Sequence, residues 1–133
     1  MLTKTYNDIS KRELVVWFFK LFNTLQADKA NRLTDSQILL LAEFAILDGI
    51  QNANRFKTSS RVKVIENLLE AYDWKITKNA LKVAIYAIEP KGFIIEDTDR
   101  IKYINPQIMK YINKALTSKD GFSFNFKFNL KDE

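Results

Sequence analysis

The sequence contains neither cysteine nor histidine. The absence of cysteine excludes disulfides, thiolate nucleophiles and cysteine-type zinc sites, and the absence of histidine removes the commonest general base at neutral pH. Nucleophiles of the Ser-His and Cys-His type are excluded with them. Paired carboxylates are the hydrolytic arrangement that is left, and no Asp or Glu grouping has their pattern. We therefore expect a protein that is not an enzyme and that holds no metal and no cofactor.

Long hydrophobic runs are missing too. The longest apolar stretches, residues 14–19 and 38–46, are much shorter than a bilayer span, and no basic-then-apolar leader opens the chain. At 133 residues the chain has the size of one domain, and its 28% of charged residues carry both signs, as in folded proteins. These features predict one folded domain without a membrane partner, located in the cytoplasm.

Four segments have apolar residues at the spacing of amphipathic helices. They span about residues 10–27, 35–48, 58–72 and 77–88. Thr34 and Gln37 have the spacing of a capping box at the start of the second helix, which we expect to end at Gly49. Thr58, with the two serines that follow it, is predicted to cap the third helix, and Thr77 the fourth.

A β-rich segment follows the fourth helix. Pro90 and Gly92 are expected to end that helix, because proline cannot continue it and glycine accepts the left-handed backbone. Residues 93–96 and 100–104 are two β-rich runs joined by a short polar turn, which predicts a hairpin. A final helix is expected to open after Pro106.

The C-terminal segment predicts a β-strand with one apolar face, because its apolar residues recur at every second position. They are Phe122, Phe124, Phe126, Phe128 and Leu130. Leaving a phenylalanine in water costs about 1.5–3 kcal/mol, so this strand is expected to add either to the hairpin of its own chain or to a sheet edge of another chain. The first helix either packs wholly on its own domain or uses part of its wide apolar face, with Trp17 and Phe18, as a contact between chains.

The order of these elements resembles a winged helix-turn-helix: two capped helices joined by a short turn, then Pro-Lys-Gly, then a hairpin. The joints that carry the resemblance are residues 33–37, 76–77, 91–94 and 103–106. They resemble winged-helix proteins of phage and plasmid origin, including replication initiators and phage regulators. The resemblance covers residues 33–116, with an N-terminal amphipathic helix in residues 1–32 and the Phe-rich tail in residues 117–133. It implies a mainly α fold with a small β-hairpin wing.

The resemblance also implies a DNA-binding surface, with the helix at residues 77–88 as the recognition helix. The residues expected to bind DNA are Lys57, Arg61, Lys75, Thr77, Lys78, Asn79, Lys82 and Tyr86. Residues 55–92 contain eight Lys/Arg and four Asp/Glu, which is most of the net charge of +5. Amide N–H groups at the Thr58 and Thr77 helix starts are further candidates for holding phosphates.

Two observations leave other interpretations open. Exposed helix faces of lysine-rich proteins are often basic without any nucleic acid partner. The turn of the wing is acidic, with Glu96, Asp97 and Asp99, and phosphate repels such a turn. The sequence thus predicts a DNA-binding regulator or replication accessory. The alternative is a phage structural or assembly subunit, present in the virion, that contacts itself or other protein subunits through the first helix and the tail.

Overall fold

Five α-helices and one β-hairpin make up residues 10–47 and 52–117, the part of the chain that the computed structural model describes. The elements are α1 (Lys11–Thr24), α2 (Asp35–Ala45), α3 (Thr58–Tyr72), α4 (Lys78–Ile88), β1 (Ile94–Glu96), β2 (Lys102–Ile104) and α5 (Pro106–Thr117). Short 3₁₀ turns precede α2, α3 and β1, at Lys29–Asn31, Asn52–Asn54 and Glu89–Lys91. The prediction of a mainly helical protein with one small antiparallel sheet is confirmed. The second helix ends at Ala45, with Ile46 as its C-cap, so its predicted end at Gly49 is wrong. The predicted C-terminal strand lies outside the described residues.

Side-chain caps fix the starts of α2 and α4 where the sequence predicts them. The capping box is complete, since Gln37 N–H donates to Thr34 Oγ1 at 3.2 Å and Thr34 N–H donates to Gln37 Oε1 at 3.0 Å. Thr77 Oγ1 accepts the N–H of Ala80 at 3.1 Å. Each bond satisfies a helix N–H group that has no partner within the helix.

The predicted cap of the third helix is wrong. Thr58 is already helical, and the extended residue before the helix is Lys57, whose side chain makes no cap hydrogen bond. The Ser60 hydroxyl donates instead to the Asn54 carbonyl at 2.9 Å, so it ties the helix to the preceding turn. The first N–H groups of α3 are therefore left without a side-chain acceptor from the cap residue.

One hydrophobic core connects the five helices and both strands. Its largest fully buried side chains are Phe18, Phe19, Phe44, Phe93, Leu40, Leu41, Leu68, Leu81, Ile85, Ile88, Ile94 and Ile104. Phe44 lies 4.7 Å from Phe56, centroid to centroid, and Phe19 lies 6.2 Å from Phe93. The core thus fixes the rotation of α4, which buries Leu81, Ile85 and Ile88 and turns its other side outward. No helix within residues 10–47 and 52–117 combines the length and the apolar character that crossing a bilayer requires.

Two buried charges join the helices. Glu43 of α2 is fully buried and pairs with the guanidinium of Arg12 on α1, with Nη2 of Arg12 at 3.3 Å from Oε2 of Glu43. The hydrogen bond to Glu43 holds the pKa of Arg12 above its ordinary value. Arg55, also buried, donates from Nη1 to the carbonyls of Phe44 and Ala45 at 2.9 and 3.0 Å, at the end of α2. Burial lowers the pKa of Arg55.

The hairpin is held from both sides of β2. On one side β2 pairs with β1, with Ile94 opposite Ile104 and Glu96 opposite Lys102. On the other side the Asn52 side chain donates to the Ile104 carbonyl at 2.9 Å and accepts the Ile104 N–H at 3.2 Å. One amide side chain therefore occupies the place of a third strand beside β2.

Lys91, in the turn between α4 and β1, joins the hairpin to the start of α2. Gly92, which ends this turn, has φ +87, a conformation that glycine adopts at little cost, as the sequence predicts. The Lys91 Nζ donates to Gln37 Oε1 at 2.7 Å and to the Arg32 carbonyl at 2.8 Å. Gln37 Oε1 is the atom that also accepts the Thr34 N–H in the capping box.

Candidate nucleic-acid interface

The outer face of α4 is exposed and carries no acidic side chain. Its exposed predicted residues are Lys78, Asn79, Lys82 and Tyr86. Lys75 is exposed in the turn before the helix. Thr77 is exposed too, and its hydroxyl is already the acceptor of the Ala80 N–H. The structure therefore brings five of the predicted side chains onto or beside one helix face, with Thr77 serving the helix start.

The other two predicted residues line a cleft between the start of α3 and the hairpin. Lys57 and Arg61 face Arg100 and Lys102 across an open cleft of about 520 Å³. Arg61 is held there by its Nε, which donates to the Phe56 carbonyl at 2.7 Å. Four cationic side chains thus surround the uncapped first turn of α3, a combination that favours an anion.

Lys102 connects this cleft to α4. Its Nζ lies 4.6 Å from the centroid of the Tyr86 ring, and it pairs with Glu89 at the end of the helix. Its distance to the Glu96 carboxylate is 3.8 Å. Lys102 therefore fixes the hairpin against α4 with part of its charge neutralised, and the Tyr86 ring is held between the two.

Arg100 and Lys102 are site residues that the sequence analysis did not identify. Glu96, Asp97 and Asp99 surround them in the sequence, so the charge pattern of the turn indicates a surface that repels phosphate. The sequence signal that could have identified Lys102 is the alternation of side chains along β2, because it places Lys102 on the same face of the strand as the buried Ile104. Arg100 has φ +62, which no sequence pattern in this turn indicates.

Comparisons with protein-family models, curated proteins and solved structures give no match. Among the described residues no group of Asp and Glu side chains is arranged to hold a metal ion.

The acidic turn of the hairpin uses one of its carboxylates internally. Asp97 accepts hydrogen bonds from the Tyr103 hydroxyl at 2.7 Å and from the N–H groups of Asp99 and Ile101, both at 2.9 Å. The Tyr103 hydroxyl, followed by the backbone donors, lowers the pKa of Asp97, and the same bond raises the pKa of Tyr103. Asp97 is thus a structural residue of the turn, and Glu96 and Asp99 are the carboxylates that face solvent.

We expect Tyr103→Phe to move the titration of Asp97 to higher pH, because the carboxylate loses the Tyr103 hydrogen bond, which contributes most to lowering its pKa. The pKa of Asp97 is lower in the folded protein than in the unfolded chain, so the hydrogen bonds of its carboxylate stabilise the fold. This stabilisation is complete above the ordinary Asp pKa of about 3.9, and it is lost as the pH falls through the lowered folded-state pKa. Carboxyl carbon NMR of both proteins across the acid range measures the difference. Identical Asp97 titrations in the two proteins would contradict the assignment of Tyr103 as the principal cause.

The residues predicted to contact a partner chain have different positions. Phe18 is fully buried in the core of its own chain, so its assignment to an intermolecular contact is corrected: its ring packs between Trp17 and Phe22, at 5.7 and 6.2 Å. Trp17 is 36% exposed and lines an open cavity of about 550 Å³ with Val16, Leu39 and other residues of α1, α2 and α3. The predicted tail contacts, Phe122, Phe124, Phe126, Phe128 and Leu130, lie outside the described residues.

Proposed function

We propose that this protein is a non-enzymatic DNA-binding protein of the winged helix-turn-helix type, a regulator or replication accessory of a phage or plasmid. In this interpretation α2, α3 and α4 are the three helices of the motif, and β1 and β2 are the wing. The amide of Asn52 beside β2 supports it, because it puts the segment before α3 where a third strand would complete a wing sheet. The element order alone is shared with protein-binding modules, so the proposal depends on the surface.

The observation that carries the proposal is a basic helix face beside a cationic cleft. Lys78 and Lys82 lie four residues apart on the exposed face of α4, and Lys102 links that helix to the cleft that Lys57 and Arg61 line. A helix face in a major groove and a cationic cleft beside it fit the two kinds of contact that a duplex offers, base edges and phosphates. Acidic residues are absent from the exposed face of α4, so no carboxylate opposes the duplex there.

A titration of labelled duplex DNA against salt tests the proposal. Each phosphate contact contributes about 0.9 to the slope of log affinity against log salt concentration. We expect Lys78→Ala/Lys82→Ala to reduce this slope by about two and to weaken binding about tenfold or more near physiological salt.

The matched control is Lys110→Ala/Lys114→Ala. These lysines are also exposed and four residues apart on a helix, α5, so the change of net charge is the same. The control should bind almost as well as the unaltered protein. Binding that is independent of salt, or equal losses in the two double variants, would overturn the proposal.

A second candidate function is a phage structural or assembly subunit that uses the same scaffold for protein contacts. The specific support for it is on α1, where Trp17 and Leu25 are exposed and Leu14 and Leu21 are half-buried at helical spacing. These four side chains form one apolar stripe that a second protein subunit could cover. A protein that binds no duplex in the titration above would leave this candidate as the better explanation.

A further inference from the structure

Val83 is the most exposed large apolar side chain in residues 10–47 and 52–117, with 60% of its surface open. It lies on α4 nearly opposite the buried Leu81, so the core that fixes the helix also fixes Val83 outward. The exposed Asn79 precedes it by one helical turn and the Tyr86 ring follows it by three residues, so these three side chains share one face. Val83 therefore adjoins Asn79 and Tyr86 at the edge of the surface that is proposed to face DNA.

Within residues 10–47 and 52–117, no contact accounts for a valine at this position. It is exposed, so it adds little to the hydrophobic core, and a β-branched residue is a weaker helix former than the lysines around it. The helix would be at least as stable with alanine or lysine there. An apolar contact outside the chain is what its position favours.

The residues around Val83 indicate which kind of external contact it makes. Tyr86 is held by Lys102, so the C-terminal half of α4 is fixed against the hairpin. Asn79 and Val83 belong to the first two turns, the part of a recognition helix that reaches base edges. An asparagine side chain pairs with an adenine edge, and an apolar side chain contacts the C5-methyl group of thymine.

We infer that Val83 contacts a thymine methyl group and that, with Asn79, it makes this protein selective for A·T pairs in the major groove. This inference rests on the proposed function. It adds the class of sequence that the surface binds and a specificity-determining residue that the sequence analysis did not identify. An apolar groove on a partner protein is the competing occupant of Val83.

The test compares thymine with deoxyuridine, which lacks only the C5-methyl group. Random-sequence duplexes enriched for binding by the full chain are copied with either thymidine or deoxyuridine, and the affinity for both pools is measured. The methyl group is worth about 0.8 kcal/mol when it is buried, so we expect binding to the deoxyuridine pool to be about fourfold weaker. Val83→Ser should bind both pools equally, because it has lost both γ-methyl groups.

Leu69→Ala is the control variant, since Leu69 is also a large exposed apolar residue, 47% open, but belongs to α3 and not to the proposed recognition helix. It should keep the full preference for thymine. Equal affinity of the unaltered protein for the two pools, with salt-dependent binding retained, would overturn the inference and leave the proposed function standing. A preference for thymine that survives in Val83→Ser would overturn the role of Val83 alone. Failure to bind either pool would overturn both proposals and favour the protein partner.

Discussion

Arg12→Ala is expected to destabilise the protein by about 3–5 kcal/mol, because it leaves a fully buried carboxylate without its counter-ion. Glu43 is completely inaccessible, whereas the Arg12 side chain is 36% exposed. The two partners of this ion pair are therefore unequal. Removing the arginine strands a charge in the core, and removing the glutamate leaves a charge that can turn toward water.

Urea unfolding followed by circular dichroism measures this asymmetry. Glu43→Gln should lower the free energy of unfolding by about 1–2 kcal/mol, which is less than the effect of Arg12→Ala. The glutamine amide fills the same volume and can still accept a hydrogen bond from Arg12. Arg12→Met/Glu43→Met should recover much of the loss, because it removes both charges. Lys11→Ala, the neighbouring exposed position, is the control and should change stability by no more than about 0.5 kcal/mol. If Glu43→Gln proved more damaging than Arg12→Ala, this account of the pair would be wrong.

Arg55→Met is expected to have the second large effect and to lower the free energy of unfolding by about 2–4 kcal/mol. The guanidinium is the donor for two carbonyls at the end of α2, and each buried carbonyl left unpaired costs about 1–3 kcal/mol. The loss is reduced somewhat because methionine fills similar space and removes a charge whose burial is itself unfavourable. Arg55 also lies two residues before Lys57, so the same variant should loosen the start of α3.

The measurement is again urea unfolding, with Arg32→Met as the control. Arg32 also donates from its guanidinium to a main-chain carbonyl, that of Gln26 at 3.2 Å, but it is exposed, so water can replace it. Its substitution should cost well under 1 kcal/mol. A loss in Arg55→Met as small as that in Arg32→Met would mean that the end of α2 does not depend on this arginine.

Local signals account for most of the elements that the sequence predicts correctly. The capping box of Thr34 and Gln37, the cap at Thr77 and the break at Gly92 each depend on residues within a few positions of one another. The apolar period of α4 also gave its buried side, because Leu81, Ile85 and Ile88 repeat at helical spacing. The same period predicts the exposed face of that helix, which carries most of the residues predicted to bind DNA.

Long-range contacts account for what the sequence did not predict. The serines after Thr58 matched a cap by composition, but Ser60 bonds to the preceding turn, and that turn is fixed by packing. Phe18 and Trp17 are adjacent in one apolar run, and only the position of the other helices decides which of the two is buried. Arg100 and Lys102 line the cleft because the hairpin lies beside the start of α3, and Asn52, which is 52 positions from Ile104, holds β2 beside the turn that precedes that helix.

The shared acceptor at Gln37 Oε1 has a consequence for how the fold opens. The first turn of a helix is ordinarily a part that frays by itself. Here the atom that closes this turn of α2 also binds Lys91, 54 positions along the chain. Fraying at Thr34 therefore also frees Lys91, and displacement of the turn that leads to the hairpin weakens the start of α2, so we expect these two parts of the fold to open together.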